Sequence, residues 1–86
     1  MNRPSPRRVP LVVPECGLGE VPLAVSLWLV PRGAAVMAGD RVLELVAGGV
    51  TIDLAAPVTG RLLNQFVEED QPVTAGTVAA EFEASA

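Results

Sequence analysis

The 86-residue sequence contains no lysine, no histidine and no tyrosine, and it has one cysteine, Cys16. Each absence removes a class of chemistry. Without histidine there is no Ser-His or Cys-His nucleophile system and no histidine-built metal site. With lysine and tyrosine also missing, the acid–base candidates are carboxylates and Cys16, and no constellation of them is visible. The chain is therefore expected not to be an enzyme. A single cysteine forms no internal disulfide, which fits a reducing compartment, and a cytoplasmic location is expected. Aromatics are scarce as well: Trp28, Phe66 and Phe82 are the whole set. No apolar run of signal-peptide kind follows Met1, and no stretch approaches the length of a membrane span.

What is present is a short apolar chain with an uneven charge. Half the residues are hydrophobic, mostly Val, Leu and Ala. That suffices for one small core of branched side chains, which suits packed strands. Residues 1–8 hold Arg3, Arg7 and Arg8 and no acid, while the rest sets three arginines against ten acids. An acidic body repels nucleic acid and anionic membrane, so neither is expected as a partner. Residues 1–8 read as a disordered arm, 9–83 as the domain, and 84–86 as a frayed end or the start of a linker.

From Val9 onward, short apolar runs are broken by Gly, Pro, Asn or Asp. Strands are expected over 9–13, 21–30, 42–46, 50–54, 61–67 and 78–83. Pro10 and Pro14 place the first strand at a sheet edge. Alternation in the second strand, though imperfect, sets Leu23, Val25, Leu27 and Leu29 on one face and Ala24, Ser26, Trp28 and Val30 on the other. The core candidates are Val25, Leu27, Leu29, Val36, Leu43, Leu45, Ile52, Leu54, Val58, Leu62, Phe66, Val73 and Val78. Gly48-Gly49, between two β-rich runs, reads as a two-residue hairpin of type I′, with positive φ at both glycines.

The two halves of the chain match at an offset of 37 residues. Val21 matches Val58, Leu29 matches Phe66, Val30 matches Val67, and Val36 matches Val73. Gly39 matches Gly76, Glu44 matches Glu81, Leu45 matches Phe82, and the turn residues Gly33 and Asp70 correspond. Neither half buries its apolar face alone, so two such units face each other in a flattened sandwich.

These landmarks resemble the lipoyl and biotinyl attachment domains of 2-oxo acid dehydrogenase acyltransferases and biotin carboxyl carriers. Trp28-Leu29-Val30, Gly33, Val36, Gly39-Asp40 and Val42-Leu43-Glu44 carry the first half of the resemblance. Val50-Thr51-Ile52-Asp53-Leu54, Ala56-Pro57-Val58-Thr59-Gly60, Asp70, Val73, Gly76 and Glu81 carry the second. The resemblance implies an all-β flattened barrel or sandwich (a barrel-sandwich hybrid) with two quasi-symmetric four-stranded halves. It also implies a modified lysine at a hairpin tip. On this sequence Gly48 takes the place of the residue before that lysine, and Gly49 takes the place of the lysine itself. Glycine offers no amine, and arginine is no replacement. Neither lipoate nor biotin is therefore expected as a cofactor, and no metal.

Three functions follow from the resemblance. One is a non-modified lipoyl-like interaction or scaffolding domain, bound to a 2-oxo acid dehydrogenase or carboxylase component. Another is a rigid adaptor module of a larger transport-type assembly. The third is a carrier domain of an acyltransferase whose modified copy lies elsewhere. A monomer or weak homodimer is expected.

Several single residues have two readings. Cys16, in the loop between the first two strands, is an incidental small residue or a group-carrying thiol. Trp28 is a half-buried core residue or a partner anchor. Glu68-Glu69-Asp70 is a solvated turn or a contact for a cation or a basic partner. Glu15 and Glu20 are surface charges or recognition charges beside the hairpin.

Overall fold

The computed structural model describes residues 7–17, 19 and 21–85. It contains eight strands: β1 (Arg8–Val12), β2 (Leu23–Trp28), β3 (Ala35–Val36), β4 (Arg41–Ala47), β5 (Val50–Ala55), β6 (Gly60–Gln65), β7 (Pro72–Val73) and β8 (Val78–Ala84). They form two four-stranded antiparallel sheets, ordered β1-β8-β6-β3 and β5-β4-β2-β7. The fold is thus the all-β pair of quasi-symmetric sheets expected from the sequence. β1 lies at an edge, where the missing N–H of Pro10 interrupts no inner ladder. Val36 and Val73, read from the sequence as isolated residues, end two-residue strands at the opposite edges.

The repeat is legible in the hydrogen bonds. The N–H of Gly33 donates to the Leu62 carbonyl at 2.7 Å, and the N–H of Asp70 donates to the Val25 carbonyl at 2.8 Å. Each bond maps onto the other when the halves are exchanged. Both turns need a left-handed residue: Gly33 has φ 91° and Asp70 has φ 71°. Glycine reaches that region freely, and aspartate is among the few other residues that tolerate it.

The core lies between the sheets and is built from Val13, Val25, Val42, Leu43, Leu45, Leu62, Ala79, Ala80 and Phe82, with Leu54, Val36 and Val73 at its margin. Ile52 and Val58 are partly buried against it. Four of the expected core residues are not in it. Leu27, Leu29, Phe66 and Val78 are 39–54% exposed. The reason is a set of bulges. Val25 pairs with Leu45, but Leu27 pairs with Glu44, so Ser26 is an extra residue in β2. One extra residue exchanges the two faces of a strand. Leu27 therefore points out, and Trp28 and Val30 pack on the core instead. β6 repeats the device: Leu62 pairs with Phe82 and Asn64 with Glu81, leaving Leu63 extra. Shifts at Val42 in β4 and Ala79 in β8 make neighbouring residues both face inward, namely Val42-Leu43 and Ala79-Ala80.

Candidate functional site

The β4–β5 hairpin is the site singled out by the sequence. Val46 pairs with Thr51 and Ala47 with Val50, so the connection is the two residues Gly48-Gly49. Both glycines are exposed at the tip. Gly48 has φ 59°, while Gly49 is not in the left-handed region. The turn is therefore not of type I′, which needs positive φ at both positions. A positive φ at the first position alone matches type II′, where only the first residue must be glycine. Nothing lies within 4 Å of where a Cβ on Gly49 would stand. A Cβ on Gly48 would meet Val21 Cγ1 at 3.9 Å, an ordinary contact.

The loop between β1 and β2 borders this hairpin through Val21. It forms one wall of an open cavity of about 250 Å³, lined by Pro14, Cys16, Val21, Leu23, Val73 and Thr74 among others. The Cys16 thiol is half-buried and lies 3.4 Å from the carbonyl oxygen of Pro14. Glu15 accepts a hydrogen bond from the N–H of Gly17 at 3.0 Å, so its carboxylate is engaged in its own loop. Glu20 lies outside the described residues, as do residues 1–6 of the expected arm. β1 begins at Arg8, whose guanidinium lies 3.5 Å from Glu81.

The remaining singled-out residues serve structure. Trp28 is half-buried, and its indole Nε1 donates to the Val67 carbonyl at 3.0 Å. Glu69 accepts from the N–H of Trp28 at 3.1 Å, and the N–H of Glu68 donates to Gln71 Oε1 at 3.0 Å. The acidic turn is thereby tied to the crossing between the halves. Among the described residues no group of three His, Cys, Asp or Glu is placed to hold a metal ion. Sequence reasoning placed Glu44 in the repeat but missed its partner Ser26, whose side chain bonds Glu44 at 2.9 Å across β2 and β4. It named Gly60 as a landmark but missed its packing role. A Cβ there would collide with the Glu83 carbonyl, so β6 and β8 approach as only glycine allows. The sequence signal for this close approach was its place at the end of Ala56-Pro57-Val58-Thr59-Gly60.

A covalently carried group would need a lysine amine at the hairpin tip. The tip has glycine at both positions, and the sequence contains no lysine. The residues present do not fit lipoyl or biotinyl attachment, and no carrier step is assigned to them.

Comparison with known proteins places this geometry. The biotin/lipoyl family model, described as biotin-requiring enzyme, matches residues 9–82. A search of curated proteins finds no match. Among solved structures, a single-chain, multi-domain long-chain acyl-CoA carboxylase superposes with a TM-score of 0.75 at 23% identity, covering 100% of this chain. The Kluyveromyces lactis urea carboxylase superposes with a TM-score of 0.74 at 20% identity over 95% of the chain. This chain spans only 8% and 7% of the lengths of those two proteins. The lipoyl domain of the 2-oxoglutarate dehydrogenase complex from Azotobacter vinelandii gives a TM-score of 0.68 at 17% identity, covering 87% of this chain and 99% of that domain.

Proposed function

The chain belongs to the biotin/lipoyl attachment family, and from that premise we propose that it is an unmodified member acting as a protein-interaction or scaffolding module. The family's domains carry or position a group rather than catalyse. The observation that carries the proposal is the hairpin: the β4–β5 scaffold is complete, yet its tip is Gly48-Gly49 and the sequence holds no lysine. Gly49 stands where the family's modified lysine would be. The domain then acts through its surface, in a larger assembly of the carboxylase or 2-oxo acid dehydrogenase kind. Similarity in fold to two carboxylases and one dehydrogenase lipoyl domain supports both assembly types equally.

The test is affinity purification of the chain from its own host, with intact-mass measurement of the domain and identification of what co-purifies. An unmodified mass together with a stoichiometric protein of a carboxylase or dehydrogenase assembly supports the proposal. A lipoylated or biotinylated mass, or no retained protein at any salt concentration, contradicts it.

A further inference from the structure

The repeat makes β1 and β5 equivalent outer strands, β1 beside β8 and β5 beside β4. They are not equally protected. β1 carries Pro10 opposite Glu81, while the prolines that follow the two strands, Pro14 and Pro57, stand at equivalent places. Proline lacks an N–H and so breaks the donor row of a free edge. β5 has no proline, and its register with β4 runs without a shift from Val50 to Leu54. Among the described residues, β4 is the only strand that pairs with it.

The turn fixes which backbone groups face the free edge. Ala47 and Val50 close the two-residue loop as a hydrogen-bonded pair. Alternation along an antiparallel ladder then turns Ile52 toward β4 and leaves the N–H and C=O groups of Thr51 and Asp53 facing outward. Ile52 packs its side chain on the core, while Thr51 and Asp53 are exposed.

We propose that the β5 edge is a self-association surface, on which a second copy of this chain docks its own β5, antiparallel and centred on Ile52. In that register Thr51 of each copy lies opposite Asp53 of the other. The outward groups of these residues meet as two hydrogen-bonded pairs, which supply four backbone bonds and join the two sheets. The side chains match as well: a hydroxyl donor faces a carboxylate, and no like charges oppose each other. Centring on Asp53 would instead set two carboxylates face to face. Asp53 is already paired with Arg41 of its own chain at 3.1 Å, which lowers the charge the edge presents. The strand is thus complementary to itself, which is why the occupant is a second copy. Two short strands bury less surface than a stable interface, so the dimer is weak.

The test is sedimentation equilibrium of the full 86-residue chain from about 10 μM to about 1 mM, the range of weak association. A monomer–dimer equilibrium within it is expected. Thr51→Pro removes an outward N–H that β4 does not use, and is expected to weaken association at least about tenfold with the fold retained by circular dichroism. Thr51→Asp opposes two acids and is expected to weaken it likewise, with Asp53→Asn added to restore it. The second pair of variants decides the matter if Thr51→Pro does not fold. A monomer across the whole range overturns the proposal. So does association that these substitutions leave unchanged, which would place the contact elsewhere.

Discussion

The indole Nε1 of Trp28 donates to the carbonyl oxygen of Val67 at 3.0 Å. This bond ties the end of β2 to the segment after β6. Its counterpart, 37 residues on, is Gln65 Nε2 donating to the Val30 carbonyl at 3.2 Å. A tryptophan and a glutamine thus do the same work at equivalent positions, each reaching across the pseudo-two-fold axis. Val67 is buried, so its carbonyl has little water to turn to.

Trp28→Phe keeps ring bulk and removes the donor. A loss of about 1–2 kcal/mol is expected from the buried acceptor left unpaired. Trp28→Ala is expected to cost about 3 kcal/mol, since packing is lost too. Gln65→Ala should cost about 1 kcal/mol. Urea unfolding followed by circular dichroism measures all three. Equal stabilities for Trp28→Phe and the parent chain would contradict the bond's role.

The bulges separate true core residues from look-alikes. Leu62→Ala and Phe82→Ala, at fully buried positions, are expected to lose about 3–5 kcal/mol. Leu29→Ser and Phe66→Ser, at 39% and 54% exposure, are expected to change stability by no more than about 0.5 kcal/mol. Thermal melts of the four variants check this. Severe loss at Phe66 would mean that the faces of the chain at the end of β6 are assigned wrongly.

Those same bulges mark where the sequence ceased to be legible. The repeat, the six longer strands and the position of the hairpin could be read from apolar runs and turn residues. Period-two alternation, however, assumes one residue per rung. Ser26 and Leu63 are each an extra residue in a pair, and neither is a glycine or proline that would announce a bulge. Alternation therefore sets Leu27 inward and passes over Val42, which is fully buried. At the site, the two-residue turn could be read but its type could not. Gly48-Gly49 satisfies both I′ and II′ chemistry, and only the backbone shows that Gly49 needs no left-handed conformation.

Two glycines give opposite expectations. Gly60→Ala drives a Cβ into the Glu83 carbonyl of β8 and is expected to cost about 3 kcal/mol or more, since backbone must move. Gly49→Ala meets open space and should be neutral within about 0.5 kcal/mol. Chemical denaturation of both variants distinguishes them. Comparable losses at the two positions would contradict the close approach of β6 to β8.

Open space at Gly49 also bears on its place in the family. Gly49→Lys is expected to fold with unchanged stability, within about 0.5 kcal/mol, and to become a substrate when co-expressed with a biotin or lipoate ligase. Gly48→Lys should cost about 1 kcal/mol, because its φ of 59° suits glycine. Intact mass detects the added group. A folded Gly49→Lys chain that no ligase modifies would contradict the assignment of Gly49 to the lysine position.

The most direct measurement is the intact mass of the chain purified from its own host, taken with the proteins that remain bound to it. The expected result is the mass of the bare polypeptide and a partner retained through the domain's surface. A chain bearing a biotinyl or lipoyl group would contradict it, because attachment would then have occurred without the lysine that the family's hairpin presents.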